Sequence, residues 1–217
     1  AAWAAGNTFG RAGRLGLKSL KDRQYQAQDE TNEVTEDLRL GLQFLKEVMP
    51  RMQPRPTRVM GVSPPPVVVY SDASWPQYMD LEEAVRTGEP PRLGWVIFVP
   101  GEKPRGYTMV LGKEFMDALL PRKTQIFAAE AIAVLTALVL LPGQFAQREL
   151  LWFIDNESAV SSLIRGGSKA QDVGHLAAAT HLALIEEQCT AWFEWIDSDS
   201  NPADGLSRDG LLDQWTL

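Results

Sequence analysis

Val67-Val68-Val69-Tyr70-Ser71-Asp72-Ala73-Ser74 decides the fold. Three β-branched residues and a tyrosine form a continuous apolar run, which reads as a central strand of a sheet covered on both faces. The run ends on a carboxylate, and a carboxylate beside a buried strand is costly unless it is paired or bound to a cation. Leu150-Leu151-Trp152-Phe153-Ile154-Asp155-Asn156 repeats the pattern. Between the two, Glu130 interrupts the apolar helix Ile126-Phe127-Ala128-Ala129-Glu130-Ala131-Ile132, with Phe127, Ala131, Val134 and Leu138 around it at helical spacing. A further acid, Asp204, lies in Asn201-Pro202-Ala203-Asp204-Gly205-Leu206-Ser207-Arg208. Alone, Asp72 and Asp155 also read as strand ends or helix caps, Asp155 before Asn156 especially. Glu130 alone reads as a helical glutamate facing water, and Asp204 as an acid at a helix N-terminus. Together they read as a cation site, because ligands gather at the carboxyl ends of strands in open α/β sheets. Clustered carboxylates select hard divalent ions such as Mg²⁺ or Mn²⁺.

Working outward, strands are expected at Leu93–Val99, Tyr107–Gly112 and Thr190–Ile196, with helices at Thr124–Leu140, Asn156–Arg165 and Asp172–Gln188, the last capped by Asp172. The segment from Trp75 to Arg92 reads as a loop or short surface helix. Strands alternating with helices imply an α/β fold with a mixed five-stranded sheet and helices on its faces. Upstream, the basic segment Ala1–Leu20 and the amphipathic run from Thr35 to Met49 read as helices. The five prolines between Met52 and Pro66 mark a boundary. The chain thus divides into a helical appendage over residues 1–58 and an α/β domain over residues 59–217.

The charge is unevenly shared. The whole chain of 217 residues carries −7, while residues 1–58 hold 10 Lys/Arg against 7 Asp/Glu. Phosphate contacts need local positive patches, not a positive total, and Arg11, Arg14, Lys18, Lys21 and Arg23 are candidates. No apolar run reaches the ~20 residues that cross a bilayer, so no membrane partner is expected and an intracellular setting is. The single Cys189 excludes an internal disulfide and a cysteine zinc site, and reads as a small buried hydrophobe. The opening Ala1-Ala2-Trp3 lacks an initiator Met and a leader pattern, as a piece of a longer polyprotein would. His175 and His181, six apart, do not form a two-histidine metal pair. Trp75, Trp95, Trp152, Trp192 and Trp195 are expected mostly in the core, with Trp75 beside the acids.

The stretch around Asp72, the helix around Glu130, Phe153-Ile154-Asp155-Asn156 and the segment Asn201–Arg208 together resemble the ribonuclease H domain of retroelement reverse transcriptases. The Asn-Pro-Ala-Asp-x-Leu-Ser-Arg ending is most similar to the tyrosine-recombinase (DIRS-type) and pararetroviral polyproteins. The resemblance covers roughly residues 66–210, and the appendage is more loosely similar to the thumb or connection region before that domain.

It implies a ribonuclease H-like sheet and hydrolysis of the RNA strand of an RNA–DNA hybrid by two Mg²⁺ or Mn²⁺ ions. Asp72, Glu130 and Asp155 match the core carboxylates, and Asp204 matches the fourth, with Asp199 as a substitute if the loop register differs. Ser71, Ser74, Asn156, Ser158 and Asn201 are the implied contacts to the hybrid, since the RNA 2′-hydroxyl is what a protein can use to tell RNA from DNA. A reverse transcriptase polymerase domain is the implied partner. Two features depart from the family pattern. The loop Asp197-Ser198-Asp199-Ser200-Asn201 has no histidine before the fourth acid, and Gly166-Gly167-Ser168-Lys169 is a short connection carrying one lysine. A DNA nuclease of the same fold and a catalytically silent interaction module are the competing readings.

Overall fold

The computed structural model describes residues 11–25, 33–51, 64–76, 90–122 and 124–213. Most of the proline-rich boundary and of the segment after Trp75 lies outside them. Strand β1 (Val67–Ser74) is the centre of a five-stranded sheet in the order β3-β2-β1-β4-β5, with β2 at Arg92–Phe98, β3 at Arg105–Val110, β4 at Glu149–Ile154 and β5 at Thr190–Trp195. β1, β2 and β3 pair antiparallel, whereas β4 and β5 run parallel to β1. The sheet is therefore mixed and flanked by helices, the α/β architecture expected from the order of elements.

Helices α1 (Arg14–Tyr25) and α2 (Glu36–Val48) precede the sheet. Within the sheet domain come α3 (Lys113–Asp117), α4 (Ile126–Leu140), α5 (Pro142–Phe145), α6 (Glu157–Arg165) and α7 (Gln171–Glu186), and a short α8 (Asp204–Arg208) follows β5. The one-turn helices α3 and α5 are not expected from sequence, because pieces this short carry no periodicity to read. Helix α7 starts one residue before Asp172, with Ala170 as its cap residue. The Asp172 carboxylate instead turns aside to accept from Leu120 N (2.9 Å) and pair with Arg122.

Period-two burial sorts the strands' side chains. Val67, Val69, Ser71 and Ala73 of β1 share a face with Leu93, Trp95 and Ile97 of β2 and with Leu150, Trp152 and Ile154 of β4, and this face builds the main core. Helix α4, apolar all round, closes over it. Trp95 Nε1 donates to Ala133 O of α4 at 2.8 Å, tying sheet to helix. Trp95 and Trp152 are core residues as expected. Trp192, however, is 67% exposed and Trp195 is also exposed. β5 is the edge strand; Trp192 lies on the face opposite the buried Phe193, and Trp195 is its last residue.

Helices α1 and α2 cross where both chains carry glycine. A Cβ on Gly16 would stand 2.5 Å from Leu45 Cγ and 2.8 Å from Gly41 O, so the backbones approach closer than any larger residue allows. This hairpin lies against the sheet domain. Ala12 and Val48 pack with Leu182 and Ile185 of α7, and Arg14 Nη1 donates to Arg165 O (2.8 Å), the last residue of α6. The next residue, Gly166, has φ +65°, and a Cβ there would fall 2.4 Å from Arg11 Cβ. Glycine is needed here twice, for the left-handed cap and for the close approach.

Candidate metal centre

The β1–β4 ladder ends at the pair Ser71↔Ile154. The next residues on these neighbouring parallel strands are Asp72 and Asp155, so the register itself brings the two acids side by side. Glu130 reaches the same corner from α4, where its Oε1 accepts from Ala73 N at 3.1 Å. One carboxylate oxygen from each of Asp72, Glu130 and Asp155 lies within 4.8 Å of the others. Three anions meet in one corner of the sheet.

Burial makes this arrangement electrostatically unfavourable on its own. Asp72 is 4% exposed and Glu130 1%. Burial, with the charges of Asp155 and Asp204, pushes the Asp72 carboxyl up to about 7, against a hydrogen bond that lowers it. Burial and the charges of Asp72 and Asp155 hold Glu130 well above the ordinary carboxylate range. Glu130 Oε2 is buried without a hydrogen-bond partner among the described residues. Such orphaned polar atoms are rare in folded proteins, and an anionic oxygen among other anions fits a cation. The donor set fits too, because it is all carboxylate, the preference of Mg²⁺ and Mn²⁺.

Asp204, at the start of α8, is half-buried and stands outside this tight trio. Its Oδ1 pairs with Arg208 at 2.7 Å, one turn along. Burial raises its pKa despite Arg208, and Asp155 and Asp199 add to the rise. Asp155 and Asp204 therefore sense each other's charge at the rim. Asp199 is exposed, in a loop where Asp197 Oδ1 accepts the Asp199 N–H at 3.1 Å.

Four of the five polar residues expected to touch a hybrid make hydrogen bonds within the protein. Ser71 is fully buried, and its hydroxyl accepts from Trp152 Nε1 at 2.9 Å; strand parity turns it to the core, away from any surface. Asn201 is also buried, donating to Ser71 O (3.1 Å) and accepting from Ala203 N (3.1 Å), which fastens the loop before Asp204 to β1. Ser74 Oγ donates to Ser207 O at 2.6 Å. Asn156 caps α6 by accepting from Ala159 N at 3.0 Å. Ser158, on the first turn of α6, is exposed. Trp75 is half-buried against the core.

Two serines to which the sequence alone assigns no role touch the acids directly. The Ser207 hydroxyl donates to Asp72 Oδ2 in a very short hydrogen bond, and Ser198 Oγ donates to Asp155 Oδ2 at 2.8 Å. Ser207 reaches Asp72 because α8 lies directly on β2 at Gly94, the residue paired with Asp72. A Cβ on Gly94 would fall 2.6 Å from both Ala203 O and Ser207 N. A glycine inside the run Leu93-Gly94-Trp95-Val96 is the signal that could have revealed this close approach. Neither histidine belongs to the acid corner. His181 Nε2 contacts Leu163 O at 2.8 Å. Cys189 packs against the core, and burial pushes its thiol up to about 12.

No protein-family profile matches the chain, and no curated protein does. Among solved structures it is similar to the N-terminal RNase H domain of Rv2228c from Mycobacterium tuberculosis, solved as a fusion with maltose-binding protein (15% identity, 67% of this chain and 92% of that one, TM-score 0.43). It is also similar to RNase H1 from the halophilic archaeon Halobacterium salinarum NRC-1 (13% identity, 68% and 97%, TM-score 0.43). A third similar structure is LC11-RNase H1 in complex with an RNA/DNA hybrid (16% identity, 62% and 88%, TM-score 0.47). No described helix is long and apolar enough to cross a membrane.

Proposed function

We propose that this chain is a ribonuclease H-type nuclease that hydrolyses the RNA strand of RNA–DNA hybrids with two divalent cations, Mg²⁺ or Mn²⁺. The observation that carries the proposal is the carboxylate trio, two of its members buried, with the orphaned Glu130 Oε2. A fold gains nothing from three anions in one corner unless a cation joins them. Asp72, Glu130 and Asp155 would hold the ions, with Asp204 completing the set at the rim. When bound, such ions supply an activated water and counter-charge for the leaving oxygen of a phosphodiester.

The chain's own residues fix the acids in advance. Ala73 N–H anchors Glu130, Ser207 anchors Asp72, and Ser198 anchors Asp155. Asp204 is held toward the rim by Arg208, and its backbone N–H donates to Asn201 O at 3.1 Å. No side-chain nucleophile is required, and the half-buried Cys189 thiol, its pKa pushed up by burial, is unsuited to be one. The choice of a hybrid over duplex DNA rests on the motif set that ends in Asn201-Pro202-Ala203-Asp204-Gly205-Leu206-Ser207-Arg208. The same motifs support a retroelement polyprotein as the source, residues 1–58 as part of the region preceding the nuclease domain, and a polymerase domain as its neighbour.

The test is cleavage of labelled RNA–DNA hybrid, duplex DNA and single-stranded RNA in Mn²⁺, by wild type and Asp155→Asn. Cleavage of the RNA strand of the hybrid alone, lost in the variant, is expected. Cutting of duplex DNA instead would move the assignment to a DNA nuclease, and activity surviving Asp155→Asn would sink it. No cleavage and no metal binding would leave an interaction module.

A further inference from the structure

A groove of about 1750 Å³ opens between α1, the first half of α2, the exposed side of α6 and the Gly166–Gln171 connection. Its walls come from sequence segments more than a hundred residues apart. They carry six Lys/Arg (Arg14, Lys18, Lys21, Arg23, Arg165 and Lys169) against three Asp/Glu, on a chain whose total is −7. The acid excess of the molecule lies elsewhere. We infer that this groove is the phosphodiester-binding track of the protein, with the N-terminal helix α1 supplying the positive wall that the short Gly166–Gln171 connection lacks.

Three observations support a polyanionic strand as its ligand. First, one end of the groove lies on the helix that follows Asp155. Glu157 and Ser158 line it, two and three residues beyond Asp155, and Arg165 lines its far end. The nine residues of α6 place those ends about 12 Å apart at 1.5 Å per residue. Second, the sixteen-residue helix α7 opens on the same groove through Gln171 and Gly174, and its cap residue, Ala170, makes no side-chain cap bond. A helix N-terminus of this length favours anions, and the one acid in its first turn, Asp172, is neutralised by Arg122. Third, the wall is fixed rather than loosely apposed. Arg14 caps the end of α6, and Arg11 sits against Gly166 at a distance that only glycine tolerates. Lys21 and Lys169 line the groove exposed and without an ion pair among the described residues. Serines 158, 161 and 168 add neutral donors along the floor.

The proposal rests on the nuclease reading for the identity of its ligand, and the test separates the two. Binding of a fluorescent RNA–DNA hybrid is measured in EDTA across a salt series, in an Asp155→Asn background. Lys21→Glu/Lys169→Glu is compared with Lys46→Glu/Lys103→Glu, which makes the same charge change on exposed lysines outside the groove. Each phosphate contact contributes roughly 0.9 to the slope of log affinity against log salt. The groove variant is expected to bind about ten-fold more weakly at about 0.1 M salt and to lose about 2 from that slope, with its melting temperature unchanged. The control pair is expected to do neither. Equal loss in both pairs, or no hybrid binding by the parent, overturns the track. Hybrid cleavage by wild type in Mn²⁺ with equal loss in both pairs leaves the nuclease reading standing without the track. Groove-dependent binding without cleavage does the reverse.

Discussion

Asp72 and Glu130 lie inside the fold, whereas Asp155 and Asp204 lie at its rim, and the four acids are held by different means. The inner pair is fixed by the fold's own framework, a β1 backbone N–H for Glu130 and the Ser207 hydroxyl for Asp72. The outer pair is held by exposed groups: Ser198 on Asp155, Arg208 on Asp204. Rigidity thus comes from the inner acids, at a cost in desolvated charge, and accessibility from the outer ones. A divalent cation held by these acids would offset that cost.

The largest effect should separate the trio from Asp204. Losing a ligand of the trio removes several kcal/mol of charge stabilisation, so Asp72→Asn is expected to lower kcat for hybrid cleavage by about 10³-fold, at about 1.36 kcal/mol per tenfold. Asp204→Asn, whose carboxylate already shares its charge with Arg208, should cost only about ten-fold on the same scale. Equal losses in single-turnover cleavage would erase the distinction between inner and outer acids.

Next is the stability of the metal-free protein. The folded-state pKa of Asp72 is raised from 3.8 to about 7, and Glu130 shifts the same way. The folded chain therefore keeps protons that the unfolded chain has released. This contribution is full below about pH 4 and is lost as pH rises through about 7. In EDTA the melting temperature should fall between about pH 5 and about pH 8, with Asp155 and Asp204 facing Asp72 as the repelling charges. Asp72→Asn should flatten that fall, and Mn²⁺ should restore stability at the alkaline end. A metal-free melting temperature that climbs over this window would contradict the raised carboxyls.

A smaller effect belongs to the contact that anchors Asp72. Gly94→Ala forces α8 off β2, an overpacking expected to cost about 1–3 kcal/mol in denaturant unfolding. Ser207→Ala keeps the backbone but removes a hydrogen bond that lowers the Asp72 pKa. The acidic limb of the cleavage pH profile should then move to higher pH. An unmoved limb would mean that Ser207 does not tune Asp72.

The trio Asp72, Glu130 and Asp155 is the most legible part of the site in sequence. β1 announces itself by Val67–Val69, and a carboxylate after each of two apolar runs places Asp72 and Asp155 at adjacent strand ends once the strands pair. Glu130 stands out because its neighbours along α4 are apolar. What sequence hides is what chain folding joins across distance. Ser207 meets Asp72 only because Gly94 admits α8, and Arg11 meets Gly166 across more than a hundred and fifty residues. Ser71 and Asn201 read as ligand contacts since they flank acids, yet parity and burial turn both to internal bonds. Trp192 and Trp195 read as core because tryptophan usually is, but an edge strand has one side without a neighbour.

Calorimetric titration of Mn²⁺ into the wild type and Glu130→Gln at about pH 8, above the raised Asp72 carboxyl, tests the metal centre most directly. Glu130→Gln preserves shape and the bond from Ala73 N while removing the buried charge. Saturable binding by wild type, weakened at least about ten-fold in the variant, or about 1.4 kcal/mol, is the expected result. Equal binding by both proteins, or none by the wild type, would contradict the claim that these carboxylates were assembled to hold a cation.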